Sequence, residues 1–563
     1  MYLNKLYNTV RGVFVTLNDL VSQITTDQTK RTHNKVDEAL PISTFTAGTT
    51  QDQSTTGLNG QFVHSQLLID CLLRIKSTSA AKNELLTVCK EEYEGNKAEL
   101  EILREFQQDY SPDHALWWYT RNSFVYRLLN KALRVQNIDI LFLFRFFICD
   151  LQQQLKDNQC TSRVRLYRGQ LMSNDELQVL QDSTGQLISI NSFLSTSVHK
   201  HLALQFLNQS STSNSIERVL FEITADPVAG IKPFANIRPF SAFPEEEETL
   251  FMLGSIFRVI DIQQDNEQVW LIQLKLCSEN DNDLKSVIDE MKKDHIESGS
   301  ETSLLSLGNI LLNMNEYDGA EKYLFRFLDE QTKDHSDIAR CYYLLGNLDT
   351  NTYHLDSSLA WHLKSLEIKR KILKSDDPKL SDSYNSIGVI YRKKREFLEA
   401  QKWFEKALKI LQQAYGIERP EISTCINSIG YVFLRMKSYS NAMDCFKKAL
   451  AINKKYFTAY HSEIGVSHSS MADAYRGLQN YNEALKHANL ALGIFQKSLP
   501  PKHYKIAWAI EIMGNVYEDK KELKDALSYY RRAANIYCEI LPSTHYYVIS
   551  IKQCIQRVSS EIN

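Results

Sequence analysis

The spacing of apolar residues changes twice along this chain of 563 residues. From Gln61 to about Leu155 it is helical: Leu67, Leu68, Cys71, Leu72 and Ile75 recur at steps of three and four, which places them on one helix face. Ser111-Pro112-Asp113 opens a further helix, with proline suited to a first turn. That helix carries Leu116, Trp117, Tyr119, Thr120, Phe124, Leu128 and Leu129. From Val164 the period drops to that of a strand. The runs 164–168, 187–190, 219–223, 249–252 and 269–274 read as strands, with short helices expected at 174–181 and 200–207. Residues 61–278 therefore read as an α+β domain, helical in its N-terminal half and strand-rich in its C-terminal half. Ahead of it, residues 1–60 hold a short strip containing Val13-Phe14-Val15 and a polar stretch from 25 to 60. That stretch lacks a sustained apolar period and is expected to be a flexible linker.

Beyond a polar joining segment at 279–300 a longer period takes over. Gly346, Gly388, Gly430, Ala472 and Gly514 are each 42 residues apart. Ser358, Ala400, Ala442, Ala484 and Ala526 keep the same interval, as do Ser365, Ala407, Ala449, Ala491 and Ala533. Phe397, Tyr439 and Tyr481 hold one large position in this frame. Small residues let paired antiparallel helices approach, and large ones fill the gaps. Residues 301–558 are thus expected to form an all-α solenoid of helix-turn-helix units. Six units are expected; the first, around Leu307-Gly308 to Leu328, lies 38 residues before Gly346 and is less regular.

Composition narrows the class. Charged residues make up 24% and the formal net charge is -3, which argues against a general nucleic-acid binder. The apolar stretch Ile138–Cys149 is broken by Asp139 and Arg145 and is too short to span a bilayer; a buried helix is expected. The start shows no signal-peptide pattern. The ten cysteines are scattered, with no Cys-x-x-Cys pair. A reduced, cytoplasmic setting and no metal site are expected.

Three segments carry candidate chemistry. Arg168 ends a predicted strand and precedes Gly169, which allows a sharp turn or a close ligand. A guanidinium suits a pyrophosphate, though a lone strand-end arginine is ordinarily a surface residue. Ser195-Thr196-Ser197 groups three hydroxyls that can orient a carboxylate or a ribose; local turn bonding explains such a cluster equally well. Glu245-Glu246-Glu247-Glu248 runs directly into the apolar Thr249-Leu250-Phe251. In an extended chain Glu246 and Glu248 share a face, and two carboxylates there can divide electrostatic and proton-accepting roles. Glu245 and Glu247 satisfy the same Glu-x-Glu spacing. Trp117 and Trp118 are read as aromatic core.

In this order and strand context, Arg168, Ser195-Thr196-Ser197 and Glu246-x-Glu248 resemble the arginine-specific mono-ADP-ribosyltransferases of the R-S-E class. The downstream repeats resemble tetratricopeptide repeats in the 42-residue variety of kinesin light chains. The resemblance implies transfer of ADP-ribose from NAD, with NADP possible as donor, to arginine side chains of a protein substrate. It implies that Arg168 anchors the dinucleotide and Gly169 admits its close approach. Ser195 holds the catalytic glutamate and ribose. Glu248 stabilises the oxocarbenium-like transition state, and Glu246 activates the acceptor guanidinium. The frame Glu246/Glu248 is preferred because the family's catalytic acid directly precedes its strand. A peptide or helix is the expected occupant of the repeat groove; no nucleic acid and no membrane is expected. NAD hydrolysis and a catalytically silent scaffold are the competing readings.

Overall fold

The change of period at Val164 corresponds to a change of architecture. The computed structural model describes residues 40–45, 60–75, 79–209, 216–278 and 303–562, apart from 315, 330–334, 458, 460, 500–502, 542 and 544. The strip containing Val13–Val15 and the joining segment 279–300 lie outside the described residues. The chain divides into two compact units, one holding the mixed domain and one the repeats.

In the first unit, helices Gly60–Arg74, Ser79–Glu92, Lys97–Asp109, Ala115–Thr120, Phe124–Val135, Ile138–Leu143 and Arg145–Asp157 precede the sheet. The helix expected from Ser111 onward is broken. A 3-10 turn at Pro112–His114 leads into Ala115–Thr120, and a second helix begins only at Phe124. Arg121 lies between them with extended backbone. Its guanidinium packs 5.0 and 5.1 Å from the Trp117 and Trp118 rings and forks onto Glu105 at 2.6 and 2.9 Å. The stretch expected to form one buried helix from Ile138 also divides, at Phe144, and is buried as expected.

Nine strands form one sheet. They are β1 (Ile42–Phe45), β2 (Val164–Ser173), β3 (Leu187–Ile190), β4 (Leu194–Ser197), β5 (Ile216–Ala225), β6 (Phe234–Asn236), β7 (Glu248–Phe251), β8 (Ser255–Gln264) and β9 (Val269–Cys277). Their order is β1-β3-β8-β9-β5-β2-β4-β7-β6. Only β5 and β9 run parallel; the other pairs are antiparallel. Leu166, Ile188, Phe221, Phe251, Phe257 and Ile272 belong to the main core. The helices Asn174–Asp182 and Lys200–Gln209 lie where expected. The polar stretch 25–60 is not wholly linker: Ile42–Phe45 pairs with β3, Ile42 opposite Ile190 and Phe45 opposite Leu187. Four residues are too few for a period to register, and the partner lies far along the chain.

Among the described residues the repeats form six helix pairs, from Leu304–Asn313 with Tyr317–Asp329 to Tyr504–Asp519 with Leu523–Ile540, and a closing helix Tyr546–Ile562; the boundary between the two units falls within the first helix, after Ile310. The glycine positions show why the period is kept. A Cβ on Gly388, Gly430 or Gly514 would stand 2.7, 2.5 or 2.7 Å from the ring of Phe404, Phe446 or Tyr530 on the paired helix. The five pairs after the first are each closed by a tight turn with a left-handed residue that is not glycine: Tyr353, Arg395, Lys437, Gln479 and Lys521. Among the described residues no helix is long and apolar enough to cross a membrane.

Candidate active site

Strand pairing brings the three segments together. β4 lies between β2 and β7. Tyr167 pairs with Ser197, and Ser197 pairs with Glu248. Arg168, Ser195 and Glu248 therefore stand on three neighbouring strands. The β4–β7 seam is tied by the buried Thr196 hydroxyl, which donates to the Thr249 carbonyl at 2.8 Å.

Arg168 sits in the middle of β2 rather than at its end, opposite Phe221 of β5. Its Nη1 donates to the Ser195 carbonyl at 3.0 Å. Nε and Nη2 both donate to Gln170 Oε1 at 3.1 Å. Gln170 is fully buried and is a residue that sequence reasoning missed. Its signal was the two-residue step from Arg168, which puts both side chains on one face of the strand.

Gly169 belongs to the opposite face. A Cβ there would lie 2.4 Å from the Ala203 carbonyl oxygen and 3.0 Å from Leu207. It is this glycine that lets helix Lys200–Gln209 lie against β2. Gly169 therefore has a packing reason, and it makes no left-handed turn, since the strand continues through it.

Glu248 opens β7 and is 9% exposed. Burial raises its pKa above the ordinary carboxylate value. Ser195 on the neighbouring strand pulls the value down; the Glu246 charge raises it, and Arg168 lowers it. Glu246 is thus electrostatically close to Glu248, but strand alternation is not the cause. Glu246 lies in the 3-10 turn Pro244–Glu246, and Glu247 follows with left-handed backbone at φ 48°. That turn separates the acids. Glu247 is held by His199 Nε2 at 2.7 Å and by the Arg238 guanidinium. Glu245 and Glu246 stay exposed. Glu247 is thus engaged by two basic side chains, while Glu248 is buried.

Two contacts tie this strand edge to the helical half. The Ala242 N–H donates to Thr120 Oγ1 at 2.9 Å, anchoring the loop before the acids. Tyr119 packs 5.0 Å from the Phe193 ring, and its hydroxyl donates to Asn130 Oδ1 at 3.1 Å. Burial raises the Tyr119 pKa well above its ordinary value, and both Glu248 and Arg168 act on it. Tyr119 is thus a second site neighbour that the sequence showed only as a core position. A guanidinium, a hydroxyl and a shielded carboxylate on adjacent strands form a set that fits a ligand with an anionic pyrophosphate and a ribose. Among the described residues no group of three or more His, Cys, Asp or Glu is placed to hold a metal ion.

A mixed domain with this triad, followed by a helical solenoid, defines a class: a nucleotide-dependent group-transfer domain joined to a protein-interaction array. Residues 73–282 match the family model described as NAD:arginine ADP-ribosyltransferase. Tetratricopeptide-repeat models match 303–349, 354–413, 379–455 and 463–539. The chain thus joins an ADP-ribosyltransferase domain, of a family that uses NAD as substrate, to tetratricopeptide repeats. Among solved structures, the chain is similar to a Podosopora anserina kinesin light chain with nearly identical TPR-like repeats, at 16% identity, covering 37% of this chain and 98% of that one, TM-score 0.30. It is similar to BtubC from P. vanneervenii at 17% identity, covering 34% and 78%, TM-score 0.30. It is similar to the ADP-ribosyltransferase HopU1 of Pseudomonas syringae pv. Tomato DC3000 at 18% identity, covering 36% and 100%, TM-score 0.26. No curated protein matches it.

Proposed function

We propose that the enzyme transfers ADP-ribose from NAD to arginine side chains of a protein that the repeats recruit. The observation that carries this is Glu248, a buried carboxylate on the strand paired with that of Ser195 and electrostatically coupled to Ser195, Glu246 and Arg168. NAD supplies the glycosidic bond whose cleavage places positive charge on the ribose. Arg168 offers a guanidinium to the anionic side of the dinucleotide. Ser195 orients Glu248, whose fixed negative charge stabilises the developing cation; pre-organised electrostatics of this kind is often the largest catalytic contribution. Glu246, exposed beside Glu248, is suited to take the proton an acceptor guanidinium loses as its nitrogen bonds the ribose and nicotinamide departs. We place the activity in the cytoplasm, on the scattered cysteines.

The test is mass spectrometry of proteins incubated with labelled NAD and either the wild-type chain or Glu248→Gln, with agmatine as a small acceptor. Arginine-linked ADP-ribose from the wild type, reduced roughly 100- to 1,000-fold in the variant, is expected. NAD consumption unaffected by agmatine would instead identify hydrolysis. Background labelling from both chains would identify a silent scaffold.

A further inference from the structure

Within the repeat unit, several basic side chains are answered by acids. Lys394 meets Asp356 at 2.7 Å, Arg476 meets Asp519 at 3.0 Å, and Arg557 meets Glu518 at 2.9 Å. Arg392 and Lys393, at the end of the Ser381–Lys393 helix, form no ion pair among the described residues. The repeat explains the difference. Arg392 occupies the position that Arg476 holds two repeats later. The two acids of Arg476, Asp473 and Asp519, correspond in the earlier register to Val389 and Arg435. The neutralising charges are replaced by a hydrocarbon and a further cation.

What surrounds Arg392 instead is aromatic. Its guanidinium lies 5.5 Å from the Tyr431 ring centre, and Tyr353 and Tyr547 act on it alongside Arg435. Its Nε is buried with no hydrogen-bond partner. Lys393 Nζ donates to the Thr350 carbonyl at 3.1 Å and stands 4.9 Å over the Tyr353 ring. Burial and Arg392 push its pKa down to about 8. Tyr353 in turn stacks on Tyr546 of the closing helix, with ring centres 4.4 Å apart and planes at 6°. The site is therefore walled by both ends of the regular repeats. Asp473 and Glu511 act on Arg435, but aromatic faces offset only part of the cost of desolvating Arg392 and Lys393, so the charge balance at these two is left incomplete.

We propose that Arg392 and Lys393 form an oxyanion-binding site where the closing helix meets the first 42-residue unit, taking a phosphate or carboxylate group. Both side chains are partly exposed and so remain reachable. A guanidinium fork beside an ammonium matches either oxyanion. The site stands on the array alone and does not depend on the transferase activity.

The experiment uses the full chain. Inorganic phosphate is titrated calorimetrically at constant ionic strength, and fluorescein-labelled hexaglutamate is followed by anisotropy. Wild type is compared with Arg392→Met/Lys393→Met and with Arg392→Lys. Binding of at least one probe, weakened at least roughly tenfold in the double variant and largely kept in Arg392→Lys, is expected. Phosphate alone points to a small free oxyanion, and hexaglutamate alone to an acidic peptide. Without ligand the double variant should melt no lower than wild type, because it removes unanswered charge. Binding by neither probe, equal binding by wild type and double variant, or a double variant that fails to fold would each overturn the site. The last would mean that these cations are already satisfied in the free protein.

Discussion

At the scale of single residues, Glu248 is balanced between influences of opposite sign. In the proposed mechanism activity requires its carboxylate, so the acid limb of kcat/KM against pH should follow its pKa. Ser195 lowers that pKa and Glu246 raises it. Ser195→Ala should therefore move the limb to higher pH, and Glu246→Gln should move it to lower pH. Limbs that shift together, or not at all, would remove Glu248 as the titrating group. Gly169 is decided by sterics alone. Its missing Cβ faces a backbone carbonyl, which cannot rotate away as a side chain would. Gly169→Ala should destabilise the domain by roughly 1–3 kcal/mol, read from the denaturant midpoint.

At the scale of elements, the repeat shows how one period serves several packing needs. The left-handed turn residues Arg395, Lys437, Gln479 and Lys521 have φ of 65°, 61°, 61° and 66°. Side chains with a Cβ strain that backbone, whereas glycine does not. Lys437→Gly should stabilise the array by roughly 0.5 kcal/mol or more, and Lys437→Ala should not; urea midpoints separate the two. His362 stands where other units place Phe404, Phe446 and Tyr530. It is fully buried against Gly346, and neither ring nitrogen has a hydrogen-bond partner. Burial first, then Lys369, pushes its pKa from 6.5 down to about 4. The unfolded chain therefore binds the proton more readily between those two values. The contribution of His362 is complete above the unfolded value and is lost progressively as pH falls toward the folded one. His362→Phe should remove that loss, gaining up to about 1.4 kcal/mol per pH unit over the window relative to wild type. An advantage over wild type that does not grow between pH 7 and pH 5 would contradict this.

At the scale of the whole molecule, two compact units imply two cooperative transitions. Scanning calorimetry should resolve them by their mutants. Gly169→Ala should lower one melting temperature and His362→Phe should shift the other, with Glu248→Gln moving neither by much. One transition moved by both packing variants would mean that the units unfold together.

Local patterns were enough to establish by themselves the change from helical to strand period at Val164, the 42-residue interval and the order of the three chemical segments. Each is a property of neighbouring residues, because periodicity reports which face a side chain joins. The two-residue step could place Gln170 on the face of Arg168, but the sequence could not show that Gly169 on the other face packs against the helix Lys200–Gln209. Nor could it show that the turn at Glu247 makes Glu246 close to Glu248 by a bend rather than by alternation. It missed the edge strand Ile42–Phe45 and the meeting of Tyr353 with Tyr546. These depend on partners distant along the chain, and such pairing is set by shape and desolvation when the whole fold packs, with no trace in the local order of polar and apolar residues.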